Sequence, residues 1–248
     1  AITINPNYPE AQSNVNLFLN YNLDCTRDFV HQNHLMFEKL FGSQVIRKSP
    51  KLPVKKRTRE ALRVGYVSSD FRHHSVAYFF VTLLEKHQSS QVQTFCYYNG
   101  RIVDSMTRRL MNASNHWRSI CMSADSDVVS LIKDDEIDIL VDLSGHTGGN
   151  RLLVFAQKPA PIQVTWLGYP NTTGLSAMDY RFTDAIADPM GDSDRTHSEK
   201  LLRLPNGFLC YDGVEKISSD KTLPKKKNGF TTFGSFNNAL KLTPQVIE

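Results

Sequence analysis

From residue 62 onward, short runs of β-branched and aromatic residues alternate with stretches of helical character, and that alternation leaves few folds open to the chain. The first run, 62–67 (LRVGYV), reads as a buried strand. It ends in Ser68, Ser69 and Asp70, residues that form turns and caps. Residues 77–84 then read as a helix laid on a sheet. Further strands are expected at 92–98 (VQTFCYY), 117–121, 137–143 (IDILVDL) and 162–167, with sixth and seventh strands at 180–183 and 201–204. Helices are expected between them at 103–111, 126–133 (capped by Asp125 or Ser126) and 152–157. The run at 137–143 is apolar enough to be a central strand. The pattern predicts an α/β fold, a Rossmann-like, doubly wound parallel sheet, although GxGxxG is absent.

In such a sheet, ligands bind at loops leaving the carboxyl ends of strands. The first of these loops carries Asp70, Arg72, His73 and His74. A second, 144–150 (SGHTGGN), holds three glycines that allow close backbone approach, beside His146, Thr147 and Asn150. A third is 168–174 (GYPNTTG).

The flanking regions read differently. Residues 1–42 are helical in character, with 17–41 read as continuous helix, and the spacing of 1–15 fits the end of one tetratricopeptide repeat and the start of the next. Residues 43–61 read as a linker with Pro50, Pro53 and the basic cluster Lys51, Lys55, Lys56, Arg57 and Arg59. Residues 62–212 form the expected first Rossmann-like domain, and 213–228 a connector whose Lys225, Lys226 and Lys227 read as a solvated loop. At 229–248 a strand (229–234), a small-residue loop and a helix opening with Thr243 and Pro244 look like the start of a second nucleotide-binding domain, so the natural protein is expected to continue.

Composition excludes several classes. At 40% hydrophobic and 22% charged, with a formal charge of +4, the 248 residues give no case for nucleic-acid binding. No apolar run approaches the roughly 20 residues of a membrane helix, and the start has no basic segment followed by an apolar core, so no signal peptide is expected. Cys25, Cys96, Cys121 and Cys210 show no CxxC and read as buried free thiols of a reducing, cytoplasmic compartment, nucleocytoplasmic in a eukaryote. The histidines have no metal-ligand spacing, so no metal site is expected.

The blocks LRVGYVSSDFRHHSVAYF, IDILVDLSGHTGGNR, PAPIQVTWLGYPNTTG, MDYRFTDAIADP and FTTFGSFNNALKLTP resemble the catalytic region of the protein O-GlcNAc transferase and SPINDLY family, over about three quarters of the chain. The resemblance implies a GT-B arrangement of two Rossmann-like domains, of which this chain holds the first, the opening of the second, and a preceding tetratricopeptide-type segment. It implies inverting, metal-independent transfer of GlcNAc from UDP-GlcNAc to Ser or Thr hydroxyls of acceptor proteins, with no cofactor, and an isolated fragment with little activity. On that resemblance Asp70 and His74 match the SSDFxxHP motif, whose histidine is a proposed general base. Leu167 and Gly168 match the segment near the donor sugar, and Asn237, Asn238 and Lys241 the strand-loop-helix at the nucleotide. Lys241 falls where a lysine meets the departing diphosphate, and His34 aligns loosely with another proposed base. The segment from His74 to Tyr78, together with Gly145-His146-Thr147 and the 170–174 stretch, is closer to SPINDLY-type proteins, some of which use GDP-fucose. A donor of GDP-fucose therefore stays open, as does a non-catalytic, repeat-bearing scaffold.

The residue types fit this chemistry. Imidazole exchanges protons near neutral pH, and a lysine is a point charge for phosphate. The plainer readings are that His74 and Asp70 cap turns, that Asn237 and Asn238 form a loop, that Lys241 is solvated and that His146 is a structural hydrogen-bonder.

Overall fold

The computed structural model describes residues 4–5, 7–46, 60–87, 90–213 and 222–247. The basic linker cluster lies outside them. Residues 1–211 form one compact unit and 212–248 another.

The first unit begins with helix α1 (Pro9–Leu19) and helix α2 (Arg27–Phe37). The chain does not run as one helix from 17 to 41. Asn20, Asn22 and Asp24 turn it, and the Thr26 hydroxyl restarts it by accepting the Phe29 N–H at 3.2 Å. A π-helical turn, Glu38–Gly42, and a short helix α3 (Ser43–Ile46) follow.

The sheet strands are β1 (Leu62–Ser68), β2 (Val92–Tyr98), β3 (His116–Ser119), β4 (Ile139–Asp142), β5 (Ile162–Thr165), β6 (Tyr180–Thr183) and β7 (Lys200–Arg203). Among the described residues they make a seven-stranded parallel sheet in the order β3-β2-β1-β4-β5-β6-β7, and β4 is its middle strand. Alternate residues of each strand feed opposite faces. Phe95, Tyr97, Val67 and Leu140 pack on one side with α6 (Asp125–Asp134) and α7 (Leu152–Ala156), and Phe37 of α2 enters the same core. Tyr66, Cys96, Tyr98 and Val141 pack on the other with α4 (Ser75–Lys86) and α5 (Ser105–Ala113). A short helix α8 (Asp192–Arg195) lies between β6 and β7.

Two local expectations change. Helix α6 is capped at Ala124 without a side-chain bond, because the Asp125 carboxylate is taken by Arg151 at 2.6 Å. All four cysteines are free, but only Cys96 is buried.

In the second unit, Lys225–Lys227 sit in a short exposed helix, α9 (Pro224–Asn228), rather than in a loop. The strand expected at 229–234 does not form. Phe230 and Phe233 stand 62% and 92% exposed, and no partner strand lies beside them among the described residues. A lone strand has no ladder to satisfy its backbone. A 3₁₀ turn (Ala239–Lys241) and helix α10 (Pro244–Ile247) complete the unit.

Candidate active site

The strand order reverses between β1 and β4, and the crevice above that switch point is where a doubly wound sheet receives ligands. The loops after these two strands meet there: the Ser69 hydroxyl donates to the Gly148 carbonyl at 2.9 Å.

On the β1 side, the Asp70 carboxylate, 10% exposed, receives Arg72 at 3.2 Å and lies 3.7 Å from His74 Nδ1. His74 is the N-cap of α4, and its Nδ1 accepts the Val76 N–H at 3.3 Å. Two partners therefore compete for one nitrogen. With Val76 as partner, Nδ1 is the acceptor and Nε2 carries the proton. With Asp70 as partner, Nδ1 carries the proton and Nε2 is free to take another. The ring is 36% exposed, so Nε2 can be reached from solvent. Next door, His73 is fixed by Asp104 through its backbone N–H and by Ser105 and Tyr78 through its ring.

The β5 end holds the strained turn of the site. Gly168 N–H bonds back to Trp166 O at 2.8 Å, closing a three-residue turn around Leu167. Leu167 has φ 70°, a left-handed conformation that costs a side chain of this kind of order 1–3 kcal/mol. Gly168 is pressed on the neighbouring strand end: a Cβ there would stand 1.8 Å from the Leu143 carbonyl oxygen.

The β4 loop is less available than its glycines suggest. Gly145 packs against Tyr169 and Gly149 against Ser69, so of the loop's three only Gly148 faces open space. Thr147 donates its hydroxyl to Ser144 O at 2.8 Å, and Asn150 donates to Thr147 O at 2.9 Å. His146 is corrected from ligand contact to internal strut. It is fully buried, its Nε2 donates to Thr173 O at 2.9 Å and its Nδ1 accepts from Ser13 Oγ at 3.0 Å. Both ring nitrogens are spent.

His34 is likewise enclosed. Its Nδ1 donates to Val30 O at 2.7 Å, and its Nε2 accepts from Tyr169 OH at 2.7 Å, which in turn accepts from Asn20 at 2.9 Å. Helix α1 thus presents Ser13, Asn16 and Asn20 to the sheet's loops, not to solvent.

Three buried ionic groups that sequence reasoning did not single out hold these loops. Asp142, at the end of β4, accepts from Ser144 N, Gly145 N and Thr165 Oγ1. Glu199 accepts from Thr172 Oγ1 at 2.6 Å and from Thr173 N at 2.7 Å. Arg181 donates to the carbonyls of Tyr169 and Asn171. A carboxylate closing an apolar strand was a legible signal for Asp142. Glu199 bonds to residues 26 and 27 positions away and left no local trace.

Burial lowers His34 to about 4 and His146 to about 3, and raises Asp142 to about 6. The two histidines take up protons only on unfolding, so their contribution is lost as pH falls from about 6.5 towards 4. Asp142 has the opposite sign: its native form keeps a proton that the unfolded form loses, so its contribution fades as pH rises from about 4 to 6. Two against one leave a net uptake of about one proton on unfolding near pH 5.5, or about 1.4 kcal/mol per pH unit. Burial also lowers His87 and His197, which adds to the acid side. Denaturant midpoints are expected to fall between pH 6.5 and 5; a flat profile there would mean that the buried rings are charged in the native state.

Asn237, Asn238 and Lys241 lie in the second unit. Asn237 Oδ1 accepts the Asn238 N–H at 2.9 Å and Asn238 Oδ1 the Leu240 N–H at 3.0 Å, so both shape the turn. The Lys241 ammonium is exposed and has no partner among the described residues. No cluster of three metal-ligating side chains occurs among the described residues.

The model for the family described as "Glycosyl transferase family 41" matches residues 24–230. The chain belongs to glycosyl transferase family 41. Among its relatives in this family is a tomato (Solanum lycopersicum) protein named "Probable UDP-N-acetylglucosamine--peptide N-acetylglucosaminyltransferase SPINDLY". It is 39% identical over 100% of this chain and 27% of its own length. A Caenorhabditis elegans UDP-N-acetylglucosamine--peptide N-acetylglucosaminyltransferase is 37% identical over 68% of the chain and 15% of its own length. Among solved structures, a mutant of Thermobaculum terrenum O-GlcNAc transferase is 36% identical, with a TM-score of 0.79 over 84% of this chain and 40% of that one. The chain spans about a quarter of the length of the curated family members it matches.

Proposed function

We propose that the chain contributes the first catalytic domain of an inverting, metal-independent protein O-glycosyltransferase that moves GlcNAc from UDP-GlcNAc to Ser or Thr hydroxyls. The observation that carries this reading is the Asp70–His74 pair, with a reachable Nε2, at the switch-point crevice of a family 41 chain. Asp70 turns the imidazole so that Nε2 can accept a proton. The acceptor hydroxyl gives up its proton to that nitrogen as its oxygen bonds to the anomeric carbon, and the bond from that carbon to the diphosphate breaks. Lys241 meets the charge left on the diphosphate, as a cation aimed at developing negative charge does. Leu167 and Gly168 shape the backbone beside the sugar, and Asn237 and Asn238 hold the turn that presents Lys241. Thr147, half-buried at the β4 end, keeps lone pairs for a sugar hydroxyl. No cofactor takes part.

No described helix is long and apolar enough to cross a membrane. Four unbonded thiols fit a reducing cytoplasmic setting.

GDP-fucose is the second donor reading. It is favoured by the altered segment after His74, whereas the SPINDLY-named relatives aligned over the whole chain are named as UDP-N-acetylglucosamine transferases. The intact protein should be offered UDP-GlcNAc and GDP-fucose side by side, with labelling of an acceptor protein as the readout. Labelling from UDP-GlcNAc is the expected result. Labelling from GDP-fucose alone replaces the donor, and labelling from neither removes the transferase reading.

A further inference from the structure

Three asparagines of the chain stand directly before a glycine: Asn99, Asn206 and Asn228. An asparagine so placed can lose its side-chain amide. The backbone nitrogen of the next residue gives its proton to water and attacks the side-chain carbonyl carbon. A C–N bond forms, the bond to the amide nitrogen breaks, and ammonia leaves, taking a proton back from the water. The product is a five-membered succinimide. A second water opens the ring at either carbonyl and leaves an aspartate or an isoaspartate. Glycine favours the step because no Cβ shields its nitrogen. The step needs an amide free to swing, a backbone N–H without an acceptor, and no helix or ladder holding the two apart.

The fold withholds these conditions from two of the pairs. Asn99, directly after β2, uses both ends of its amide: Nδ2 donates to Gly149 O at 2.8 Å, and Oδ1 accepts from Arg151 Nη2 at 2.9 Å. The same guanidinium is tied to Ile120 O, Ser123 O and Asp125, so it cannot follow Asn99 if the amide swings. Reaching the Gly100 nitrogen therefore costs two hydrogen bonds, one of them charged. Asn228 closes helix α9, and the Gly229 N–H donates to Lys225 O at 2.9 Å. A helical side chain also leans towards the helix N-terminus, away from that nitrogen. Five exposed residues fray more easily than a buried network opens, so this protection is the weaker of the two.

Asn206 meets all three conditions. Pro205 and Asn206 form a turn after β7, and Asn206 and Gly207 are both exposed. Neither the Asn206 amide nor the Gly207 N–H has a hydrogen-bond partner among the described residues. Gly207 has φ 90°, a left-handed conformation that keeps side chains out of this position. The turn that calls for glycine thus leaves its nitrogen open to attack. An anchor of the sheet lies just beyond: the Phe208 N–H reaches Asp184 at 3.3 Å, and Phe208 O accepts from Trp166 Nε1 at 2.8 Å. An isoaspartate would run the main chain through its side chain, one carbon longer, two residues before that anchor.

We propose that Asn206 is a site of spontaneous deamidation, converting through a succinimide with Gly207 to aspartate and isoaspartate, while the fold holds back Asn99 and Asn228. The site is separate from the transferase reading and stands or falls without it. The test is incubation of the intact protein at neutral pH for several weeks, followed by peptide mapping in a mass spectrometer. Each conversion exchanges NH2 for OH and raises the peptide mass by about 1 Da. Asn206 is expected to convert faster than Asn99 by about tenfold or more, with Asn228 between them. In the urea-unfolded chain the three pairs are expected to convert at similar rates, because only the fold sets them apart. Asn206→Gln alters an exposed side chain without a partner, so it is expected to erase the conversion there and leave the thermal midpoint unchanged. Conversion led by Asn99 or Asn228 in the folded protein would overturn the proposal. So would a folded protein that keeps Asn206 intact while the unfolded chain converts it, or a product that is aspartate alone, since direct hydrolysis forms no isoaspartate.

Discussion

Gly168→Ala is expected to destabilise the protein by about 3–5 kcal/mol, among the largest single-residue effects the fold allows. The added methyl would meet the Leu143 carbonyl oxygen at 1.8 Å and its carbon at 2.7 Å. Neither can rotate away, because both belong to the backbone where β4 ends. Relief requires β5 to draw back from β4 at the point where Trp166 N–H reaches the Asp142 carbonyl at 2.9 Å. The neighbouring Leu167 is already strained at φ 70° and cannot absorb the shift. Gly148→Ala is the control: nothing lies within 4 Å of its added methyl, and a change within about 0.5 kcal/mol is expected. Denaturant unfolding of both variants decides the matter. If they match, the close approach at Gly168 is not maintained in solution.

Removing the imidazole of His74 is expected to lower turnover of the intact protein by about 10²- to 10⁴-fold, the usual worth of a positioned acid-base group. His74 also caps α4, so His74→Ala removes a cap worth about 1 kcal/mol together with the base. His74→Asn separates the two roles: its side-chain oxygen still accepts the Val76 N–H, yet it cannot take a proton near neutral pH. Both variants are expected to lose turnover, and only His74→Ala to lose stability. Near-normal turnover by His74→Asn would reduce His74 to a helix cap. Asp70→Asn bears on the same point, since it weakens the pull that turns Nδ1 away from Val76.

The sheet was largely legible because it is covered on both faces. Strands such as 92–98 are rich in β-branched and aromatic residues, and their ends fall within a residue or two of the expected ones. The strand at 229–234 misled for a related reason. A β-prone run states a propensity, while a strand needs a neighbour, and Phe233 has none among the described residues. The candidate site was legible only in part. Asp70 and His74 come together because they stand only four positions apart in one loop. The roles of His146, Tyr169 and Glu199 depend on partners far away in the chain, which no local pattern reports. The polar spacing of Ser13, Asn16 and Asn20 was visible, but such a face is ordinarily turned to water.

That buried polar face has a consequence for how such proteins can be recombined. Ser13 is tied to His146, Asn20 to Tyr169, and Phe37 is enclosed in the core of the sheet. At Gly174 an added Cβ would strike the His34 carbonyl at 2.2 Å, so helix and loop touch backbone to backbone. Residues 9–46 are thus inseparable from the α/β body. A helical segment grafted from another protein keeps these contacts only if it is joined upstream of Pro9. A graft joined after Ile46 would strip the body of α1, α2 and α3 and leave His146 Nδ1 and the Tyr169 hydroxyl without their partners. The natural unit of exchange is set by those contacts and not by the break between helical and α/β patterns.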